Sequence, residues 1–353
     1  MLLMLLVSVF AFSPVTAQPD DPQAALDAVV EAFAPGDAAL VVQVTTPEGT
    51  VTSTSGLARP DQPTTADDRF RIASMSKTYV AAVALLLAEE GVFDLDDAAS
   101  EWLPESILEN LANADEVTLR QLLAMRSGIP DYLAQQAFWD TVLEDPFYAW
   151  TPEESLAFAF GVPAEFAPDD SFSYSNSNYL LMQLVMEAAT GEPLHVLMRD
   201  YLLDPLGLED TYTQIMETLP GEFVQSFYDV DEDGTPEEVT NVNDGAGMGD
   251  GALISNAADI TAFYQALLQD ESILSEDSMA ELLDFETESG YSLGLGQWES
   301  DYGAVIGHSG GVLGYTSIGL YIPDEETIIV VLLADLTISA DEIALAVAEA
   351  FFA

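Results

Sequence analysis

The sequence predicts an α/β fold: an antiparallel sheet built from both chain ends, flanked by helices, with an all-helical lobe inserted between them. Three observations predict it. Strand-like runs cluster near the two ends, over residues 39–73 and 292–334. The stretch between, above all 94–207, shows helical spacing broken by polar, Pro-rich and Gly-rich loops. Helical segments stand at both termini of the folded part, over 22–33 and 341–352, where they can cover a sheet face.

Residues 1–17 read as a signal peptide. The apolar run over 2–12 is shorter than the roughly 20 residues that span a bilayer. Pro14 breaks it, and Val15-Thr16-Ala17 makes a small-residue cleavage site before Gln18. The usual positive n-region is missing. Residues 18–353 then form a single domain, with an α/β lobe from about 18–73 and 252–353 and a helical lobe from about 74–251. Over 22–33, Ala25, Leu26, Val29, Val30 and Phe33 share one helical face, and Pro35-Gly36 ends the helix. Residues 39–45 and 50–57 read as strands around the turn Pro47-Glu48-Gly49. Residues 70–73 are extended, and a strongly apolar helix runs from about Ser74 to Glu90, before Gly91.

Helices are expected over 119–125, 152–158, 177–189 and 194–203. A glycine-rich loop occupies 244–251, and another helix 257–268. Strands follow over 292–298, 303–306, 315–322 and 327–334, the last two joined as a hairpin by Pro323-Asp324-Glu325. A helix over 341–352 closes the chain.

The composition narrows the function. Asp plus Glu number 62 against 7 Lys plus Arg, a formal net charge of −55 over 353 residues. A chain so anionic repels nucleic acid and anionic lipid, so neither is expected as a partner. Long apolar runs and 10% aromatics set it apart from a disordered acidic tail. The acidity runs along the whole chain, which suits a saline setting or a lineage whose secreted proteins are generally acidic. Without cysteine there are no disulfides, thiolate metal sites or cysteine nucleophiles. No later segment has the length and apolarity of a membrane span, so the expected product is a secreted or periplasmic monomer acting on a small molecule or peptide.

One cation stands out. Lys77 is the only lysine; the other six cations are Arg59, Arg69, Arg71, Arg120, Arg126 and Arg199. It lies in Ser74-Met75-Ser76-Lys77. Residues i and i+3 share a helical face, so the Lys77 ammonium can reach the Ser74 hydroxyl. An alcohol needs a neighbouring base to become a nucleophile. Lysine can serve once its proton is removed, whereas arginine in a protein keeps its charge. By itself S-x-x-K is a common tetrapeptide, and a snorkelling surface lysine explains it as well. Two further stretches carry chemistry. Tyr174-Ser175-Asn176 precedes a helix; the tyrosine can relay a proton and the asparagine can pair with an amide, though Asn176 can also be a simple helix cap. His308-Ser309-Gly310-Gly311 ends a strand, where glycines let an extended substrate approach the edge.

In this order and spacing the three stretches resemble the S-x-x-K, Y-x-N and K/H-T/S-G motifs of the serine β-lactamase and penicillin-binding-protein superfamily. The similarity is to the branch holding class C β-lactamases, D-alanyl-D-alanine carboxypeptidases and esterases. Residues 119–132 (LRQLLAMRSGIPDY), 204–211 (DPLGLEDT) and 249–263 (GDGALISNAADITAF) also look like that branch, and the resemblance extends over about 26–334. It implies a β-lactamase/transpeptidase-like fold and a serine hydrolase working through an acyl-enzyme. Ser74 would be the nucleophile, Lys77 would help take its proton, and Tyr174 would shuttle a proton to the leaving group. Asn176 would hold the substrate amide, and His308 and Ser309 would shape the field where many relatives carry lysine. The backbone N–H groups of Ser74 and Gly311 would form the oxyanion hole, with Gly310 between them and His308. H-S-G is closer to the carboxypeptidase and esterase members, which favours peptide or ester hydrolysis. β-Lactam hydrolysis and a non-catalytic penicillin-binding sensor are the alternatives.

No cofactor is implied. Asp229, Asp231 and Asp233, followed by Gly234, resemble the start of a calcium loop. Position 12, which needs a bidentate Glu, is Thr240, and Glu237 or Glu238 would have to substitute. In so acidic a chain such a match also arises by chance.

Overall fold

A computed structural model describes residues 19–34, 36–231, 233–285 and 289–353. The signal-peptide reading of residues 1–17 lies outside them. Helix α1 (Pro22–Phe33) is N-capped by Asp21, whose carboxylate accepts from Ala24 N at 3.1 Å. Strands β1 (Leu40–Thr46) and β2 (Gly49–Ser55) follow. A short strand β3 (Phe70–Arg71) leads into helix α2 (Ser76–Glu89). The inserted segment is mainly helical, with α3 (Ser177–Thr190) at its centre, and carries the short strand β4 (Tyr212–Thr213). Then come β5 (Leu253–Ser255), helix α4 (Ala257–Tyr264), and strands β6 (Gly296–Ser300), β7 (Gly303–Val312), β8 (Tyr315–Ile322) and β9 (Thr327–Leu333). Helix α5 (Ala340–Phe352) is last.

The large sheet is antiparallel with strand order β6-β7-β8-β9-β1-β2, so the two chain ends meet where β9 pairs with β1. Both faces of its centre are covered, which is why residues 328–333 of β9 read as an unbroken apolar run and residues 40–44 of β1 are interrupted only by Gln43. Alternate residues go to opposite faces. Leu40, Val42, Val44, Ile329, Val331 and Leu333 pack with α1 and α5, whereas Val41, Ile328, Val330 and Leu332 join the larger core around α2. This is the β-lactamase/transpeptidase-like fold.

Helix α2 is buried on nearly every side, from Ser76 through Leu85, as its apolar stretch over residues 79–87 requires. Beside it, β3, β5 and β4 form a small antiparallel sheet in the order β3-β5-β4. Two differences from the sequence reading bear on function. The α-helix begins at Ser76, and Ser74 sits in a 3-10 turn, Ala73–Met75, ahead of it. β7 runs on to Val312, so His308 to Gly311 lie inside a strand, with His308 opposite Gly319 and Gly311 opposite Thr316. Glycines at 307, 310 and 311 hide that strand from a propensity argument.

Candidate active site

The turn that presents Ser74 is held by its neighbours. Ala73 has φ +49°, a left-handed conformation that costs a non-glycine residue about 1–2 kcal/mol. Three hydrogen bonds pin the turn: Ile72 N donates to Leu253 O at 3.1 Å, Leu253 N to Ser76 Oγ at 3.0 Å, and Ser317 Oγ to Ile72 O at 2.9 Å. The strand carrying His308-Ser309-Gly310 passes against the same turn. A Cβ on Gly310 would lie 2.3 Å from Ile72 O and 2.5 Å from Ser317 Oγ, so only glycine allows this approach. β6 pairs with β7 only as far as Gly307, and the strand beyond it borders the Ser74 turn.

Lys77 is fully buried, and its Nζ reaches three oxygens: Ser74 Oγ at 3.0 Å, Asn176 Oδ1 at 2.8 Å and the Asp250 carbonyl at 2.6 Å. The orientation of Asn176 follows from its other side. Its Nδ2 donates to Asp131 Oδ2 at 3.0 Å and its backbone N to Asp131 Oδ1 at 3.2 Å. A carboxylate only accepts, so Nδ2 faces Asp131 and Oδ1 faces Lys77. Asn176 therefore does not cap α3; its side chain makes no cap hydrogen bond. The Asn176 oxygen and the Asp250 carbonyl are acceptors only. Once Lys77 has lost a proton, its two remaining N–H groups can go to these acceptors, which leaves a lone pair directed at Ser74 Oγ. That is the geometry of a general base on an alcohol.

Tyr174 stands over this pair, its ring centroid 5.1 Å from Lys77 Nζ and 36% of the residue exposed. Its ring is 6.1 Å from that of His308. His308 is buried. Its Nδ1 lies 2.5 Å from Ser309 O, an acceptor, so Nδ1 carries the proton and Nε2, 3.1 Å from Tyr291 Oη, accepts. Burial, reinforced by the Lys77 charge, pushes the imidazole down to about 4, so His308 is neutral at pH 7.

Ser74, Lys77, Tyr174, Asn176 and His308, which are up to 234 positions apart (74 to 308), thus come together, with Ser309, Gly310 and Gly311 on the adjoining strand. Sequence reasoning missed four members of the site: Asp131, Tyr132, Asp250 and Tyr291. Three of them lie in the stretches 119–132 and 249–263, where a family-like look was visible but no role for a single residue. Asp250 Oδ2 accepts from Tyr132 Oη at 2.8 Å. Burial raises the Asp250 carboxyl to about 6, with Lys77 and the Tyr132 hydroxyl pulling the other way. Burial also raises Asp131, offset in part by its bonds from Asn176 and Leu133.

The calcium-like residues are elsewhere. Carboxylate oxygens of Asp229, Asp231 and Glu237 lie within 4.8 Å of one another. Asp233 is not in this group and accepts instead from Thr235 N at 2.8 Å. Asp229 and Glu237 likewise accept from loop N–H groups, Gly234 at 2.8 Å and Val230 at 3.2 Å.

A sequence profile described as Beta-lactamase matches residues 26–351. The chain belongs to the beta-lactamase family, a family of serine hydrolases. Among solved structures it is similar to a D-stereospecific amidohydrolase from a Streptomyces species, with TM-score 0.81, 28% identity, and 93% of this chain and 98% of that one covered. It is 28% identical to Penicillin-binding protein 4* of Bacillus subtilis over 76% of this chain and 61% of that protein. It is 31% identical to Esterase EstB of Burkholderia gladioli over 50% of this chain and 45% of that protein. The chain thus spans less than two thirds of the length of these two relatives. The family's members include amidohydrolases and esterases, so family membership leaves the acyl substrate open.

Proposed function

We propose that this chain is a secreted, monomeric serine hydrolase that forms an acyl-enzyme on Ser74 and cleaves amides or esters of D-amino-acid type. The observation that carries the reading is Lys77 Nζ at 3.0 Å from Ser74 Oγ, with its other two contacts made to acceptor-only oxygens. Lys77 takes the Ser74 proton as Oγ attacks the carbonyl carbon. Tyr174 passes a proton to the leaving group, Asn176 orients the substrate amide, and backbone N–H groups of Ser74 and Gly311 receive the oxyanion. The similarity to a D-stereospecific amidohydrolase and an esterase supports this choice of substrate.

A second observation narrows the leaving group. A carboxypeptidase needs a cation for the terminal carboxylate of its substrate. Here His308 is neutral, and each of the six arginines pairs with a carboxylate of its own. The net charge of −55 adds a field that repels anions. Amides and esters without a free carboxylate therefore suit the site better than D-Ala-D-Ala peptides or β-lactams.

The test is covalent labelling. A fluorescent fluorophosphonate should modify Ser74, mapped by peptide mass spectrometry, and Ser74→Ala should abolish it. D-amino-acid amides and p-nitrophenyl esters should turn over faster than D-Ala-D-Ala peptides or nitrocefin. A folded protein that no such reagent modifies at Ser74 would refute the enzyme reading, and preferential nitrocefin turnover would move the substrate assignment to β-lactams.

A further inference from the structure

We propose that Asp250 is a positioning residue for the Ser74–Lys77 pair: ionised, it stabilises the ammonium that Lys77 becomes on taking the Ser74 proton; protonated, it withdraws that support. The proposal rests on the reading of Ser74 as nucleophile and Lys77 as its base.

The placement of Asp250 is unusual for this chain, whose other acids are mostly solvated. Only 5% of the residue is exposed, and its own carbonyl touches Lys77 Nζ at 2.6 Å. Its carboxylate is held on one side alone. Oδ2 accepts from Tyr132 Oη at 2.8 Å, whereas Oδ1 is buried with no hydrogen-bond partner among the described residues. A buried carboxylate oxygen without a donor is costly to maintain, and such groups concentrate where their charge is used. The use here is visible in what surrounds Lys77. Its three short contacts are to neutral oxygens, so a positive charge on Nζ has no directly bonded counter-ion among the described residues.

The groups able to answer that charge are few. Asp131 acts through Asn176, which lies between it and Lys77. Asp244, in the loop before Asp250, is committed to Arg71 at 2.5 Å and to Leu313 N at 3.0 Å. From the strand side His308 is neutral. Burial keeps the phenols of Tyr132, Tyr179 and Tyr291 protonated. Among the described residues, Asp250 and Asp131 are left as the carboxylates that act on the Lys77 charge.

In the acylation step the Ser74 Oγ–H bond breaks and an Nζ–H bond forms. The Oγ electron pair closes on the carbonyl carbon, and the carbonyl π pair moves to oxygen. One positive charge appears on Nζ and one negative charge on the substrate oxygen. The Asp250 carboxylate and the Lys77 ammonium attract each other, so an ionised Asp250 lowers the energy of this state relative to the neutral pair. With a carboxyl that titrates near 6, that support is present above about pH 6 and lost below it.

The experiment is the pH profile of kcat/KM for a neutral D-amino-acid ester, whose own charge does not titrate. The full-length wild type should lose activity on the acid side with an apparent pKa near 6. Asp250→Asn should remove that limb and lower the plateau, in kcat more than in KM, on the order of tenfold to a hundredfold. Tyr132→Phe keeps the carboxyl and removes a hydrogen bond that favours its ionised form, so the limb should move to higher pH. That variant keeps the proposal testable should Asp250→Asn fail to fold. An acid limb unmoved in folded Asp250→Asn or in Tyr132→Phe overturns the role of Asp250. A wild type with no acid limb near pH 6 overturns it too. Fluorophosphonate labelling of Ser74 is measured alongside. Its loss in the wild type would strike at the nucleophile reading, whereas intact labelling with an unmoved limb strikes only at Asp250.

Discussion

Lys77 differs from every other cation in the chain by what it touches. Arg59, Arg69, Arg71, Arg120, Arg126 and Arg199 each reach a carboxylate, and arginine serves well as a permanent charge in a fork of hydrogen bonds. Lys77 bonds to a hydroxyl, an amide oxygen and a backbone carbonyl, partners that tolerate its losing a proton. On the proposed mechanism, the chain uses arginine for fixed charges and lysine at the one place where the charge must come and go. Lys77→Met, close in length and apolar, removes the base with little change of volume. Acylation of Ser74 should slow on the order of 10²–10⁴-fold, measured as the rate of fluorophosphonate or ester burst. Far-UV circular dichroism should be retained. A folded Lys77→Met that acylates within tenfold of wild type would remove Lys77 from the mechanism.

Among the elements, β7 decides whether the site forms at all, because it brings the third motif to the turn that bears Ser74. Gly310 and Gly311 are neighbours with opposite surroundings. A Cβ on Gly310 meets Ile72 O at 2.3 Å and Ser317 Oγ at 2.5 Å; one on Gly311 meets nothing within 4 Å. Gly310→Ala should push β7 off the turn, at about 1–3 kcal/mol of stability. A displacement near 1 Å at Ser74 should lower kcat on the order of 100-fold. Gly311→Ala should leave the denaturation midpoint almost unchanged. Equal midpoints for the two variants in chemical denaturation would show that the close approach at Gly310 is not built as described. This contrast also marks the limit of what could be read without coordinates. Uniform apolar runs announced β9 and α2, and the three motifs announced Ser74, Lys77, Tyr174, Asn176 and His308. The short helices Gln136–Glu144 and Glu276–Leu282 offer only two to three turns of pattern, too little to set them apart from the loops around them. Asp250 could not be singled out among 62 acids, because its meaning comes from burial against Tyr132 and Lys77, residues 118 and 173 positions away.

At the scale of the whole molecule, the charge of −55 is carried on a fold whose interior holds few acids, so it acts as a repulsive shell. Residues 200–353 contain no Lys or Arg at all, and the acids of α5 and of the loops before it have no local cation to offset them. Repulsion of this kind destabilises the compact state, and salt relieves it. The Debye length falls from roughly 10 Å at 0.1 M to roughly 3 Å at 1 M, shorter than the usual spacing of surface carboxylates. The melting temperature should therefore rise by several degrees between 0.1 and 1 M NaCl, then level off as screening saturates. The shape of the curve separates causes: a salt excluded from the surface keeps adding stability in proportion to its concentration. A rise that stays linear to 3 M would assign the effect to exclusion, and a melting temperature independent of salt would show that the shell is not under electrostatic strain. Choline chloride should match NaCl below 1 M, because screening depends on ionic strength and not on the identity of the cation. A sharper response to calcium than ionic strength explains would instead indicate specific binding, with the carboxylates of Asp229, Asp231 and Glu237 the group to mutate first.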